Sequence, residues 1–213
     1  MEFQQKLDEL GDFWEKITFP NGVEVGPGRS KQLLWSEYFK HYFDTSMFEG
    51  KTILDIGCNA GGNIVELAKY NPAKIVGLDY SEKYLAQCRF VLDQFGIKAD
   101  LRQFNVLRKT EHELAVELGK FDIIFCLGVI YHLNRDSNLA LLRYMKKNSS
   151  LQVFSTQLFV SEQRTGIDWE TTLEGTESLF AEAGFPELRT IHVKKDEETW
   201  KALTNQWYFE TTS

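Results

Sequence analysis

Short apolar runs alternate with stretches of helical periodicity from Lys51 onward, and this alternation restricts the fold more than any other feature of the chain. TILDI (52–56), KIVGLD (74–79), a stretch near 98–104, FDIIFCLGV (121–129) and LQVFSTQLF (151–159) read as strands. Helices are expected over 62–70, 81–95, 110–118 and 135–147, and a further one over 171–183 is closed by Gly184. FDIIFCLGV is long and uniformly apolar, as a central parallel strand buried on both faces must be. Strands that alternate with helices pair in parallel, and the helices cover both faces of their sheet. Two last strands, near 187–195 and 205–212, follow one another without a long helix, so one of them should run antiparallel. The expected fold is therefore α/β: a seven-stranded, mostly parallel sheet with helices on both faces and one antiparallel strand near the C-terminus. With 213 residues the chain can bury one such core. Upstream, 2–16 reads as a helix, 17–31 as a loop and 31–43 as a helix in which Leu34, Trp35, Tyr38, Phe39, Tyr42 and Phe43 recur at helical spacing. Residues 1–50 are expected to cap the domain formed by 51–213.

In an open parallel sheet, ligands bind beyond the carboxyl ends of the strands. The first such end reads Asp55-Ile56-Gly57-Cys58-Asn59-Ala60-Gly61-Gly62. As a dinucleotide fingerprint it has Asn59 where a second glycine should let the backbone approach a pyrophosphate. As a DxGxGxG-type turn it has a single Asn, a residue that tolerates positive φ. Asp55 separates the two readings, because a carboxylate at the strand end repels a pyrophosphate and suits a ligand that carries an ammonium group. Asp79 closes the second strand, 24 residues after Asp55, where a carboxylate can accept hydrogen bonds from a ribose diol. It could equally hold the start of the 81–95 helix.

Composition narrows the partners. A net charge of −7 gives no general attraction to nucleic acid or anionic membrane. Cys58, Cys88 and Cys126 are odd in number and scattered, which suggests reduced thiols and a cytoplasmic setting rather than a disulfide framework. His41, His112 and His192 show no metal-ligand spacing, so no metal is expected. The first residues, MEFQQKLDELGDFW, lack the basic start and apolar core of a signal peptide, and no apolar run reaches membrane-spanning length.

These motifs together resemble the class I S-adenosylmethionine-dependent methyltransferases, whose sheet is Rossmann-like. Residues 51–62 look like that family's first motif, VGLDYS (76–81) like its second, and FDIIFCLGVIYHL (121–133) like its fourth-strand motif. Within the family, GVIYHL and the upstream GVEVGPGRSKQLLW, with Gly22 thirteen residues before Trp35, resemble the branch that contains the tRNA wobble-uridine carboxymethyltransferase. The resemblance implies S-adenosylmethionine as cofactor and S-adenosylhomocysteine as product. It implies that Asp55, Gly57, Cys58, Asn59 and Gly61 line the methionine side and that Asp79 and Tyr80 meet the ribose. Asn105 and Val106 would border the adenine, Asn105 standing where the family usually has Asp. Leu127 and Gly128 would pass beneath the cofactor.

The acceptor side is less distinctive. His132, just past the fourth motif, is the candidate proton acceptor, with a structural role as its alternative. Arg29, Trp35, Tyr131, His132 and Trp169 are the candidate acceptor contacts. Trp35 and Tyr131 could equally fill the core, and Arg29, like Lys31, could be a solvated loop charge. The favoured activity is methyl transfer to an oxygen or nitrogen of a small molecule. A tRNA acceptor and a non-catalytic S-adenosylmethionine-binding protein remain alternatives. A nicotinamide oxidoreductase is disfavoured by Asp55 and the missing glycine. Oligomeric state is not legible.

Overall fold

A computed structural model of the chain describes residues 2–28, 30–159, 172–185, 189–192 and 203–211. The chain divides into two compact units, Met1–Asn105 and Val106–Ser213. Among the described residues no helix is long and apolar enough to cross a membrane.

The first unit opens with α1 (Glu2–Leu10). The periodicity predicts a helix to residue 16, but Gly11 adopts φ 66° and terminates it, since glycine enters the left-handed region without strain. The predicted loop then folds in part into a ribbon, β1 (Ile17–Thr18) antiparallel to β2 (Glu24–Val25). The helix expected over 31–43 is broken into α2 (Lys31–Leu34), a π-helical turn (Trp35–Phe39) and α3 (Lys40–Tyr42). Trp35, Phe39, Phe43 and Phe48 are all buried there and stack in mostly edge-to-face contacts; Trp35 lies 5.1 Å from Phe39 and 5.5 Å from Phe48.

The parallel strands follow: β3 (Thr52–Ile56), α4 (Gly62–Ala68), β4 (Lys74–Asp79), α5 (Glu82–Phe95) and β5 (Asp100–Gln103). β4 pairs in parallel with β3 on one side and β5 on the other, with Asp55 opposite Gly77 and Val76 opposite Asp100. Gly77 is glycine because a Cβ there would lie 2.8 Å from both Ile64 Cδ1 and Leu101 Cδ2. Ser81 caps α5 through its hydroxyl, and Gly96 at φ 67° ends it. The buried Gln87 of α5 donates to the carbonyls of Leu10 and Asp12, so it satisfies backbone at the end of α1.

The second unit begins its regular structure with α6 (Glu111–Leu118), opened by a capping box of Thr110 and Glu113. β6 (Ile123–Leu127) is buried throughout, as its uniform hydrophobicity requires. After a 3-10 turn, Ile130–His132, come α7 (Arg135–Asn148), β7 (Leu151–Phe159) and α8 (Leu173–Glu182). β6 and β7 pair in parallel, with Phe125 opposite Val153. Phe154, Phe180 and Phe185 pack edge to face at 4.9–5.9 Å. The α/β class is thus as expected, with three parallel strands in the first unit and two in the second.

Phe48 is fully buried, so Phe48→Ala should cost about 3–5 kcal/mol in urea unfolding. Val116→Ala, at a side chain 70% exposed, should stay within about 0.5 kcal/mol of the parent.

Candidate functional site

Sequence places the first strand end at the centre of the site, and the structure explains its shape. Beyond β3 the chain turns through Gly57 at φ 74°, Asn59 at φ 49° and Gly61 at φ 87°, so the one non-glycine in the left-handed region is the asparagine anticipated there. The amides of Gly57 and Cys58 both donate to the Leu78 carbonyl, at 2.8 and 2.9 Å, which ties the turn to the end of β4. The Asn59 side chain accepts from the Ala60 amide at 2.7 Å. Gly61 has a packing reason besides its φ, since a Cβ would lie 2.6 Å from Cys88 Sγ. Cys58, Cys88 and Cys126 are all buried, free thiols.

Asp79 joins the turn to α5. Its Oδ2 accepts from the Asn59 amide at 3.0 Å and its Oδ1 from the Ser81 amide at 2.9 Å. Each oxygen keeps a second lone pair for a further donor. Both readings of Asp79 are therefore compatible, because the carboxylate holds backbone and still has acceptor capacity. Burial raises its pKa, and its backbone hydrogen bonds oppose the shift. Tyr80 is 66% exposed, and its carbonyl accepts from the Gln103 side chain at 3.1 Å.

Asp55, 2% exposed, has an Oδ2 with neither solvent nor a hydrogen-bond partner. Burial pushes its pKa up to about 7; Lys31 and Asn63 oppose this, and the charges of Glu15 and Asp79 reinforce it. Glu15 is the residue that sequence reasoning missed. It is 6% exposed, its Oε2 accepts from the Gly62 amide at 3.2 Å, and its Oε1 has no partner. Burial pushes its pKa to about 7 also, against the pull of Lys31 and the Gly62 amide. No local pattern marks Glu15, because its contact with the turn spans 47 residues. Two buried carboxylates with unmatched oxygens next to the glycine turn fit a ligand that brings its own positive charge and N–H donors.

Trp35 does not line an open surface. It is 1% exposed and its indole N–H donates to Asn63 Oδ1 at 2.9 Å, so its place is the aromatic core. Asn105 is exposed and Val106 buried. Arg29 and Trp169 lie outside the described residues.

In the second unit, Leu127 is buried at the end of β6 and Gly128 follows at φ 79°, its amide donating to the Ser155 carbonyl at 3.3 Å. A Cβ on Gly128 would lie 3.5 Å from the Tyr131 hydroxyl, so that ring reaches back over the glycine. His132 is exposed, with its ring 4.2 Å from that of Tyr131. Asn138, unremarked in the sequence, fixes this turn: its buried amide donates to the carbonyls of Ile130 and Leu133 at 3.0 and 3.2 Å.

A carboxyl whose folded pKa stands near 7, against an ordinary 3.8, binds a proton in the folded state that the unfolded chain has lost. Stability of the ligand-free protein should therefore fall as pH rises from about 4 to about 7 and level off above. Asp55→Asn should raise Tm at pH 8, by roughly 2–4 °C per kcal/mol recovered, and leave it unchanged near pH 4. Thermal melts across that range check this, and parallel curves for the two proteins would contradict it.

Residues 53–148 match the model of a family described as "Methyltransferase domain". The chain is 30% identical over 183 residues to a "tRNA U34 carboxymethyltransferase" of Campylobacter jejuni, covering 74% of this chain and 56% of that protein. It is 36% identical over 119 residues to the protein of the same name from Campylobacter lari, covering 54% and 38%. The chain thus spans at most little more than half the length of these curated relatives. Among solved structures, the N-terminal domain of EvdMO1, crystallised in the presence of SAH and D-fucose, superposes with a TM-score of 0.72 at 22% identity, over 100% of this chain and 96% of that one. Magnesium protoporphyrin IX methyltransferase from Synechocystis with bound SAH gives 0.60 at 15% identity, over 85% and 83%. Residues 53–148 thus resemble a methyltransferase domain, the fold is that of the methyltransferase structures it superposes on, and the chain is similar to the tRNA U34 carboxymethyltransferases over part of their length.

Proposed function

We propose that the chain binds S-adenosylmethionine at the glycine turn after β3 and transfers its methyl group to an oxygen or nitrogen of a small-molecule acceptor, leaving S-adenosylhomocysteine. The observation that carries this reading is the buried Asp55 carboxyl, whose Oδ2 has no hydrogen-bond partner, beside a positive-φ turn that Asp79 ties in place. In this reading Asp79 accepts from the ribose hydroxyls. Gly57, Cys58, Asn59 and Gly61 shape the methionine side, and Tyr80, Asn105, Val106, Leu127 and Gly128 complete the cofactor contacts. The cofactor supplies an electrophilic sulfonium methyl, so the protein need only hold the nucleophile in line and take up its proton if it has one. His132, exposed beside Tyr131 past the end of β6, is the proposed proton acceptor, and Arg29, Tyr131 and Trp169 are proposed acceptor contacts.

We propose as well that the strands form one seven-stranded sheet, with residues 1–50 as its cap. It is supported by β8 (Arg189–His192) and β9 (Leu203–Thr211), which pair antiparallel with each other, and by β9 antiparallel to β7. Three free thiols suit a cytoplasmic setting.

The relatives' names favour a second reading, in which the acceptor is tRNA. The small-molecule reading is supported by the net charge of −7 and by the pairing of basic residues on α7: Arg135 and Arg143 with Glu182, and Lys147 with Glu111. Incubation with methyl-labelled S-adenosylmethionine and either total tRNA or a metabolite extract separates the two. Label should appear in the small-molecule fraction, and label in tRNA would establish the second reading.

Calorimetric titration tests the cofactor itself. S-adenosylmethionine and S-adenosylhomocysteine should bind and NAD should not. Asp79→Ala should weaken both by about ten- to a hundredfold, the loss of a hydrogen-bonded ribose partner. Binding of NAD alone would overturn the proposal.

A further inference from the structure

We propose that Glu15 and Asp55 act together as the binding pair for the ammonium group of the cofactor's amino-acid portion, Glu15 reaching the site from the segment before β1. This rests on the cofactor reading above and assigns a residue that neither the glycine motif nor the strand order identifies.

The placement of Glu15 is built, not incidental. A Cβ on Gly26 would stand 2.0 Å from the Glu15 carbonyl oxygen, and one on Gly28 2.2 Å from the Trp14 carbonyl oxygen, so the 26–28 backbone lies directly against 14–15. The Gly28 amide donates to the Trp14 carbonyl at 3.1 Å, and Lys16 bridges to Ser30. Clamped in this way, the side chain points at the turn: a Cβ on Gly62 would lie 2.6 Å from Glu15 Oε1. Oε2 is occupied by the Gly62 amide, whereas Oε1 and the Oδ2 of Asp55 are buried without partners. A carboxylate oxygen shut away from water without a donor destabilises the protein, so a ligand that supplies donors gains what the fold leaves unmet.

The chemistry of that ligand is narrow. The charged groups that bear on Asp55 are Glu15, Asp79 and Lys31, and Lys31 also bears on Glu15; despite its pull, both carboxyls stay shifted up to about 7. Among the described residues no group of three or more His, Cys, Asp or Glu is placed to hold a metal ion. An ammonium group offers three N–H donors and one positive charge to two carboxylates, which matches what is missing. When it binds, a carboxylic acid proton held by the pair leaves to solvent and the ammonium keeps its own protons. Binding near neutral pH should therefore release protons, and affinity should rise as pH climbs from about 6 to about 7.5.

The test is calorimetry at pH 6.5 on the full chain, in two buffers of different ionisation enthalpy. The ligands are S-adenosylhomocysteine and 5′-methylthioadenosine, which keeps the adenosine thioether but lacks the amino-acid portion. The wild type should release about one proton with the first ligand and none with the second. Glu15→Gln, which keeps the shape and removes the charge, should weaken S-adenosylhomocysteine about tenfold, reduce the proton count and leave methylthioadenosine unchanged. Equal weakening of both ligands, or of neither, would reduce Glu15 to a structural cap and overturn the inference. If the variant does not fold, the wild-type comparison still decides, because equal proton release with both ligands is enough to refute it. A wild type that binds neither ligand refutes the cofactor reading as well, which separates the two failures.

Discussion

Two carboxylates are held out of water beside one glycine turn, and the logic of the site follows from that burial. Unpaired charges in an apolar setting are so unfavourable that the groups shift toward the neutral form instead. Asp55 and Glu15 do so together, each under the influence of Lys31. The turn they face is tied mainly by other groups, the Leu78 carbonyl and the Asp79 carboxylate, and Glu15 adds one hydrogen bond, accepted from the Gly62 amide. The fold thus fixes the shape of the turn and still leaves Glu15 Oε1 and Asp55 Oδ2 without partners. That division is what a binding site needs, since groups already satisfied inside the protein gain little when a ligand arrives.

Much of this was legible from local pattern. β3 and β4 fall on the residues that the apolar runs mark, and Asp55 and Asp79 stand at their ends, as the spacing requires. The helix starts at Ser81 and Thr110 carry hydroxyl caps that sequence can show. What was not legible is partly local irregularity and partly contact between residues distant along the chain. Gly11 ended a helix whose apolar periodicity ran on, and a π-helical turn interrupted another. Trp35 reads equally as an anchor or a pocket residue until Asn63 is seen to accept its indole N–H. Glu15 sits among ordinary charged residues, and only the fold brings it to Gly62. Asn138, likewise, shows its role only through the carbonyls of Ile130 and Leu133.

The likeness to the tRNA U34 carboxymethyltransferases and the net charge of −7 pull the acceptor in different directions. The shared part runs through the methyltransferase domain, and the chain spans at most little more than half of those relatives. A cofactor domain and its acceptor are separable, because one set of groups holds the methyl donor while others select what receives it. The proposed carboxylate pair would belong to the first set, so its chemistry can be argued without knowledge of the acceptor.

The most direct measurement is a crystal structure of the chain with S-adenosylhomocysteine. The account predicts the ligand's amino nitrogen within about 3 Å of both Glu15 Oε1 and Asp55 Oδ2, and its ribose hydroxyls within the same distance of Asp79. A ligand whose amino group points to solvent, with Glu15 Oε1 and Asp55 Oδ2 still without partners behind it, would contradict the claim that the buried carboxylates are there to receive a cation.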